Sequence, residues 1–214
     1  MPTVPHTGTP PRPAGPAGRP ETPYYPARAD TLLLLPFARV PTGSTFLEVG
    51  AGNGEVALAA ARSGARVVAT DLNPHALRAL AARARTERLP LALVRTDLAR
   101  GLGRFDRAVF NPPYLPTRPE ERDPDPWHNL ALDGGADGTA VTARWVSDLP
   151  NHLVPGGEGF LLTSTQQSQA SLKRLWSSWW AGGGRAEVVA SQPLEGERLE
   201  VWRLIGARTE SGPA

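Results

Sequence analysis

The chain has no cysteine, so disulfides and thiolate metal sites are excluded together. Lysine is nearly absent as well: Lys173 is the only one, and the pI of about 9.5 reflects arginine. A formal net charge of +2 neither demands nor excludes a nucleic-acid partner. The four histidines (His6, His75, His128 and His152) are scattered, with no pair at helix-ligand spacing, so no metal site is expected. Long apolar runs are missing too. No stretch approaches the roughly 20 residues of a membrane span. The four leucines at 32–35 are too short for a secretory core and follow a proline-rich segment instead of a basic one. A cytoplasmic protein is the expectation.

Proline and glycine are plentiful. Residues 1–23 are rich in proline, glycine and threonine with almost nothing to bury, and read as a disordered tail. Its plain role is a solvated leader, its alternative a proline-rich ligand for a partner. Residues 24–206 read as one domain, and 207–214 as a flexible C-terminus. Apolar runs predict strands at 44–50, 65–71, 91–97, 104–111, 158–164, 185–191 and 198–206. Helical patterns fall at 29–40, after the glycines at 50–54, from Asn73 to Leu89, from Ala140, and at 169–180. Asn73 and Pro74 have the character of an N-cap and first helical position. A long loop is expected from the end of the fourth strand to about Thr139. Strands alternating with helices predict a Rossmann-like α/β fold with a seven-stranded, mostly parallel sheet. The last two strands lack an intervening helix and predict an antiparallel hairpin edge.

The first strand runs into Glu48-Val49-Gly50-Ala51-Gly52-Asn53-Gly54. Glycine permits a sharp turn and close approach of a ligand to the main chain. The following helix directs its free N–H groups at the same crevice. A dinucleotide fingerprint, G-x-G-x-x-G, would need a third glycine where this chain has Glu55. Two carboxylates follow along the rim. Asp71 ends the second strand, where it could accept from both hydroxyls of a ribose, and Asp97 ends the third. An ordinary helix cap or loop carboxylate is the alternative for each.

Asn111-Pro112-Pro113-Tyr114 ends the fourth strand. Paired prolines stop a strand and fix its exit. The quartet is stiffer than a turn requires, and it sets an amide beside an aromatic ring. The Asn111 side-chain oxygen and the Pro112 carbonyl could accept two N–H bonds of a planar nitrogen, and the Tyr114 ring offers that group a flat face. Such positioning needs no dedicated general base. Trp176, Trp179 and Trp180 share helical spacing and read as a buried helix-on-sheet face, with a binding patch as the alternative.

The E-x-G-x-G-x-G loop resembles that of class I S-adenosylmethionine (SAM) methyltransferases, and Asn111–Tyr114 resembles the NPPY motif of amino-group methyltransferases. Residues 129–138, NLALDGGADG, resemble the ALDGGxDGL segment of the HemK group of glutamine methyltransferases. Residues 24–34 resemble the segment ahead of the SAM loop in its HemK2/MTQ2 branch, with Tyr25, Asp30 and Thr31 matching; the proline falls one place off that branch's spacing. The resemblance covers residue 24 to about 205. It implies N5-methylation of a glutamine amide, typically in the Gly-Gly-Gln loop of a translation release factor. By position, Gly50, Gly52 and Gly54 would line the methionine part of SAM, Asp71 would hold the ribose and Asp97 the adenine. Asn111, Pro112, Pro113 and Tyr114 would form the catalytic motif, and Asn111 would contact SAM as well. Glu48 would orient the SAM amino end or, alternatively, brace the loop, and Asp133 and Gly134 would help to close the site. A small zinc-containing activator of the Trm112 type is the implied partner, and the apolar run at 91–94 is the edge where it is expected. An RNA or DNA amino-base methyltransferase is the competing activity, since NPPY serves both. A SAM-binding subunit without chemistry is the third reading.

Overall fold

The structure, a computed structural model, describes residues 24–207; the expected tail and most of the expected C-terminal segment lie outside them. The chain opens with helix α1 (Ala29–Leu34), which passes into a 3-10 turn (Leu35–Ala38) where Pro36 ends it. Then come β1 (Thr45–Val49), α2 (Glu55–Arg62), β2 (Arg66–Asp71), α3 (Pro74–Glu87), β3 (Leu91–Arg95) and β4 (Phe105–Phe110). The second half contains α4 (Pro126–Leu132), α5 (Ala140–Asp148), β5 (Leu153–Ser164), α6 (Gln169–Ala181), β6 (Arg185–Leu194) and β7 (Glu197–Ile205).

The strands form one seven-stranded sheet in the order β3-β2-β1-β4-β5-β7-β6. The first five strands pair in parallel, and β7 runs antiparallel to both β5 and β6. The C-terminal hairpin therefore forms an edge, with β7 inside and β6 outermost. Strand order reverses between β1 and β4. In an open α/β sheet the crevice outside the strand carboxyl ends at such a switch point is where ligands bind.

Side chains alternate across the sheet and so feed two cores. Phe46, Val109 and Phe160 point to the α1–α3 side and pack with Leu34, Val56, Leu58 and Leu80. Leu47, Phe110 and Leu161 point the other way and meet Trp145, Leu149, Leu172 and Trp176. The α1 segment is pinned to the sheet by Arg107, whose Nη1 donates to the carbonyls of Phe37 and Arg39 at 3.2 and 3.0 Å. Phe37 stacks on Phe160 with ring centroids 4.6 Å apart.

Three expectations change. The segment up to Thr139 is not a plain loop: it holds a 3-10 turn (Pro119–Glu121) and α4, which starts on Asp125 as N-cap and Pro126. The fifth strand begins at Leu153, because Pro155-Gly156-Gly157 is carried within it and its pairing with β4 shifts register there. Of the three tryptophans on α6, Trp176 and Trp179 are buried while Trp180 is 48% exposed. Trp176 stacks on Trp202, and the Trp179 indole donates to the Arg185 carbonyl. No helix among the described residues is long and apolar enough to cross a membrane.

Candidate active site

The carboxyl ends of β1, β2 and β4 bring the glycine loop, Asp71 and the NPPY quartet to one rim. Val49 pairs with Phe110, so Gly50 and Asn111 leave the sheet side by side. Gly50, Gly52 and Gly54 all have positive φ, at 59°, 52° and 77°, a conformation that other residues adopt only with strain. Gly54 has a second reason to be glycine, since a Cβ there would lie 2.3 Å from Leu80 Cδ1. As the N-cap of α2 it has no side chain to give the helix. Glu48 supplies one instead: its Oε2 accepts from the Ala57 amide at 2.7 Å, in the first turn of the helix. Burial pushes the Glu48 carboxyl up to about 8, with the nearby Asp71 adding to the rise.

Asp71 also braces the loop. Its Oδ2 accepts from the Gly52 amide and its Oδ1 from the Asn73 amide, both at 2.8 Å. Burial raises its pKa while these backbone bonds hold it down. A carboxylate offers about four acceptor positions, so acceptor capacity remains beyond its backbone bonds to Gly52, Asn73 and Leu72. Asp97 lies past the end of β3, in a turn tied to β2 by the Thr70 hydroxyl, which donates to the Leu98 carbonyl at 2.8 Å. Its carboxylate is ion-paired with Arg144 of α5, a partner that nothing in the sequence signals. Both line a cavity of about 590 Å³ beside His152.

Asn111 is the centre of the arrangement. Its Nδ2 donates to Asp30 Oδ2 at 3.0 Å, whereas its Oδ1 is buried and has no hydrogen-bond partner. Leaving such an acceptor unsatisfied costs about 1–3 kcal/mol, so the site holds it at the expense of stability. Pro112 is buried behind it. Tyr114 packs against the α1–α3 core, and burial together with the Asp30 charge raises its phenol pKa. Asp30, only 3% exposed, also accepts from the Tyr25 hydroxyl at 2.9 Å and the Thr31 amide at 2.7 Å. Tyr25 in turn lies over the loop: a Cβ on Gly52 would be 3.5 Å from the Tyr25 carbonyl oxygen. The segment at 25–31 thus enters the site, and the sequence marks it only through the Tyr25, Asp30 and Thr31 pattern.

Asp133 and Gly134 serve the chain that leaves Tyr114. Leu115 donates to the Leu132 carbonyl and accepts from the Gly134 amide at 2.9 Å, and Thr117 donates to Gly135. Gly138 has φ +76°, and a Cβ on it would lie 2.4 Å from the Tyr114 carbonyl oxygen. Asp133 itself holds the Gly135 amide and the Arg122 guanidinium. This segment braces the quartet from behind. Trp127 of α4 meets the His75 ring of α3 edge-on, with ring centroids 5.9 Å apart.

These residues suit SAM on their own chemistry: a glycine cradle at a helix start, a rim carboxylate with spare acceptor capacity, and an acceptor without a donor where the cradle meets β4.

A family model described as a methyltransferase domain matches residues 46–117. A protein of Methanocaldococcus jannaschii named protein N5-glutamine methyltransferase is 34% identical over 186 residues, covering 85% of this chain and 92% of its own length. The mouse protein named methyltransferase HEMK2 is 39% identical over 153 residues, with 65% of this chain and 71% of its own length covered. The chain spans about half the length of bacterial release factor glutamine methyltransferases that it matches, 55% for that of Deinococcus radiodurans. Among solved structures, the E. cuniculi Mtq2–Trm112 complex, described as responsible for methylation of the eRF1 translation termination factor, aligns with a TM-score of 0.67. It is 24% identical and covers 87% of this chain and 100% of its own.

Proposed function

We propose that this chain, which belongs to the protein N5-glutamine methyltransferase family, methylates the side-chain amide of a glutamine in a translation release factor. SAM, when bound, supplies an electrophilic methyl on a sulfonium sulfur. Gly50, Gly52 and Gly54 would hold its methionine end, Asp71 its ribose and Asp97 its adenine, while Glu48 braces the loop by capping α2.

The observation that carries the reading is the buried, unpartnered Asn111 Oδ1. A primary amide is a poor nucleophile because its nitrogen lone pair is delocalised into the carbonyl. Asn111 Oδ1 and the Pro112 carbonyl accept its two N–H groups, which aligns the nitrogen and favours the charge that builds on it. With SAM bound, these two acceptors would direct the nitrogen lone pair at the sulfonium methyl, whose transfer to nitrogen would leave the electron pair of the broken carbon–sulfur bond on sulfur. The methylated nitrogen, made acidic by the transfer, would then lose its proton to solvent. Tyr114 gives the amide a flat surface, and Pro113 keeps the quartet rigid.

The release factor as substrate is supported by the names of the relatives, and a Trm112-type activator by the pairing of Mtq2 with Trm112 in the E. cuniculi complex. The β3 edge, with Ala92 exposed and Leu91, Leu93 and Val94 half-buried, is where we place that partner. A cytoplasmic location follows from the substrate.

The test is incubation with methyl-labelled SAM and either a release factor bearing Gly-Gly-Gln or total RNA, with Asn111→Ala beside each. Label in the release factor that the variant abolishes supports the reading. Label in RNA alone would move the chain to the base methyltransferases, and SAM binding without label in any acceptor, with a Trm112-type partner supplied, would leave a binding subunit.

A further inference from the structure

We propose that Asp30 is a positioning residue for methyl transfer: it sets which end of the Asn111 amide faces the substrate, with Tyr25 as its brace. This rests on the function proposed above. An asparagine side chain presents an acceptor at one end and a donor at the other, and a half-turn about its terminal bond exchanges them. The two orientations have opposite consequences here. With Oδ1 turned to the substrate, Asn111 accepts from a primary amide; with Nδ2 turned there, two donors would face each other and the nitrogen would not be held.

Asp30 decides between them. An ionised carboxylate only accepts, so at 3.0 Å it takes Nδ2 and excludes the flipped form, which would set Asn111 Oδ1 against Asp30 Oδ2. The carboxylate is itself fixed at both oxygens. Oδ1 accepts from the Thr31 amide at 2.7 Å, and Oδ2 accepts from the Tyr25 hydroxyl at 2.9 Å as well as from Asn111. Burial, and after it the Asp30 charge, raises the Tyr25 phenol pKa, so the phenol remains a donor. The result is a chain from Tyr25 through Asp30 to Asn111 that leaves Oδ1 buried and without a hydrogen-bond partner. It also gives the α1 segment a task in the chemistry: Asp30 and Asn111 are 81 residues apart in sequence, and they meet because α1 is packed against the sheet.

The test uses Asp30→Asn, Tyr25→Phe, Asn111→Ala and the double variant Asp30→Asn/Asn111→Ala in the full chain. If Asp30 acts through Asn111, Asp30→Asn lowers kcat on a release factor about 10- to 100-fold, the worth of a hydrogen bond to a charged group. KM for SAM and the thermal midpoint stay near wild type. The double variant is then no slower than Asn111→Ala alone. Tyr25→Phe, the milder change, lowers kcat in the same direction and serves if Asp30→Asn does not fold. Equal factors on both backgrounds would overturn the proposal, because Asp30 would then act independently of Asn111. A second readout needs no substrate. The side-chain amide resonances of Asn111, identified by their loss in Asn111→Ala, are expected to move in Asp30→Asn, or in Tyr25→Phe if that is the variant that folds; unmoved resonances would also overturn it. A wild-type protein that transfers no methyl to the release factor even with a Trm112-type partner supplied would defeat the proposed function, while the resonances would still decide the role of Asp30.

Discussion

The Gly52 amide donates to Asp71 Oδ2 across 2.8 Å, joining the glycine loop to the end of the neighbouring strand. The same carboxylate is the group proposed above to take the ribose of SAM, and on that proposal loop shape and cofactor affinity depend on one side chain. Replacing Asp71 by alanine removes acceptors for the ribose and strands the Gly52 N–H. Calorimetric titration with SAM should give a Kd raised about 10- to 100-fold, the cost of losing one hydrogen bond to a charged group. An unchanged Kd would remove Asp71 from the binding site.

Asn111 is expected to separate binding from chemistry. Asn111→Ala removes the acceptor without touching the glycine cradle. Its turnover should fall about 10²- to 10³-fold, as when a single polar group that stabilises a transition state is lost. SAM affinity should remain within a few-fold, since the cradle and Asp71 are intact. Parallel titration and rate measurements on one preparation check both.

Gly54 is constrained twice, by φ +77° and by Leu80 Cδ1 at 2.3 Å from where a Cβ would stand. Gly54→Ala should therefore destabilise the fold by about 1–3 kcal/mol, the usual cost of overpacking. Gly101→Ala is a control for conformation alone, because its φ is +82° but nothing lies within 4 Å. Urea unfolding of the two variants should place Gly54→Ala clearly lower.

Glu48 makes stability depend on pH. Burial raises its carboxyl from the ordinary 4.5 to about 8, so between those values the folded chain holds a proton that the unfolded chain has released. The stability this contributes is fully present below the lower value and is lost as pH rises through the upper one. Burial raises Asp71 in the same direction. Glu48→Gln keeps an acceptor for the Ala57 amide and removes the titration. Its thermal midpoint should fall less than that of wild type as pH rises from 4.5 to 8; parallel curves would contradict the assignment.

Much of this was legible in the sequence, for reasons that differ along the chain. Strands such as Thr45–Val49 and Arg66–Asp71 are short apolar runs closed by glycine or a capped helix, and both signals are local. The Asn73 cap on α3 reads the same way, and its side chain does accept from His75. Helix α4 was missed because its seven residues hold one turn of apolar pattern amid prolines and charges. The start of β5 was missed because Pro155, Gly156 and Gly157 usually end a strand, and here sit at a register shift. Spacing groups Trp180 with its neighbours, but its ring is half exposed where theirs are buried. In the site, the glycine loop, Asp71 and the quartet announce themselves by residue type. The ion pair of Asp97 with Arg144 and the bond from Asn111 to Asp30 do not. They join segments far apart in the chain, and only the packing of α1 and α5 onto the sheet creates them.

The most direct measurement is tandem mass spectrometry of a release factor bearing Gly-Gly-Gln after incubation with SAM and this protein, supplied with a Trm112-type partner. The expected result is a single methyl group on the glutamine side-chain amide, absent when Asn111→Ala replaces the wild-type chain. A methyl group on any other residue, or an unmodified release factor beside methylated RNA, would contradict glutamine N-methylation as the reaction of this site.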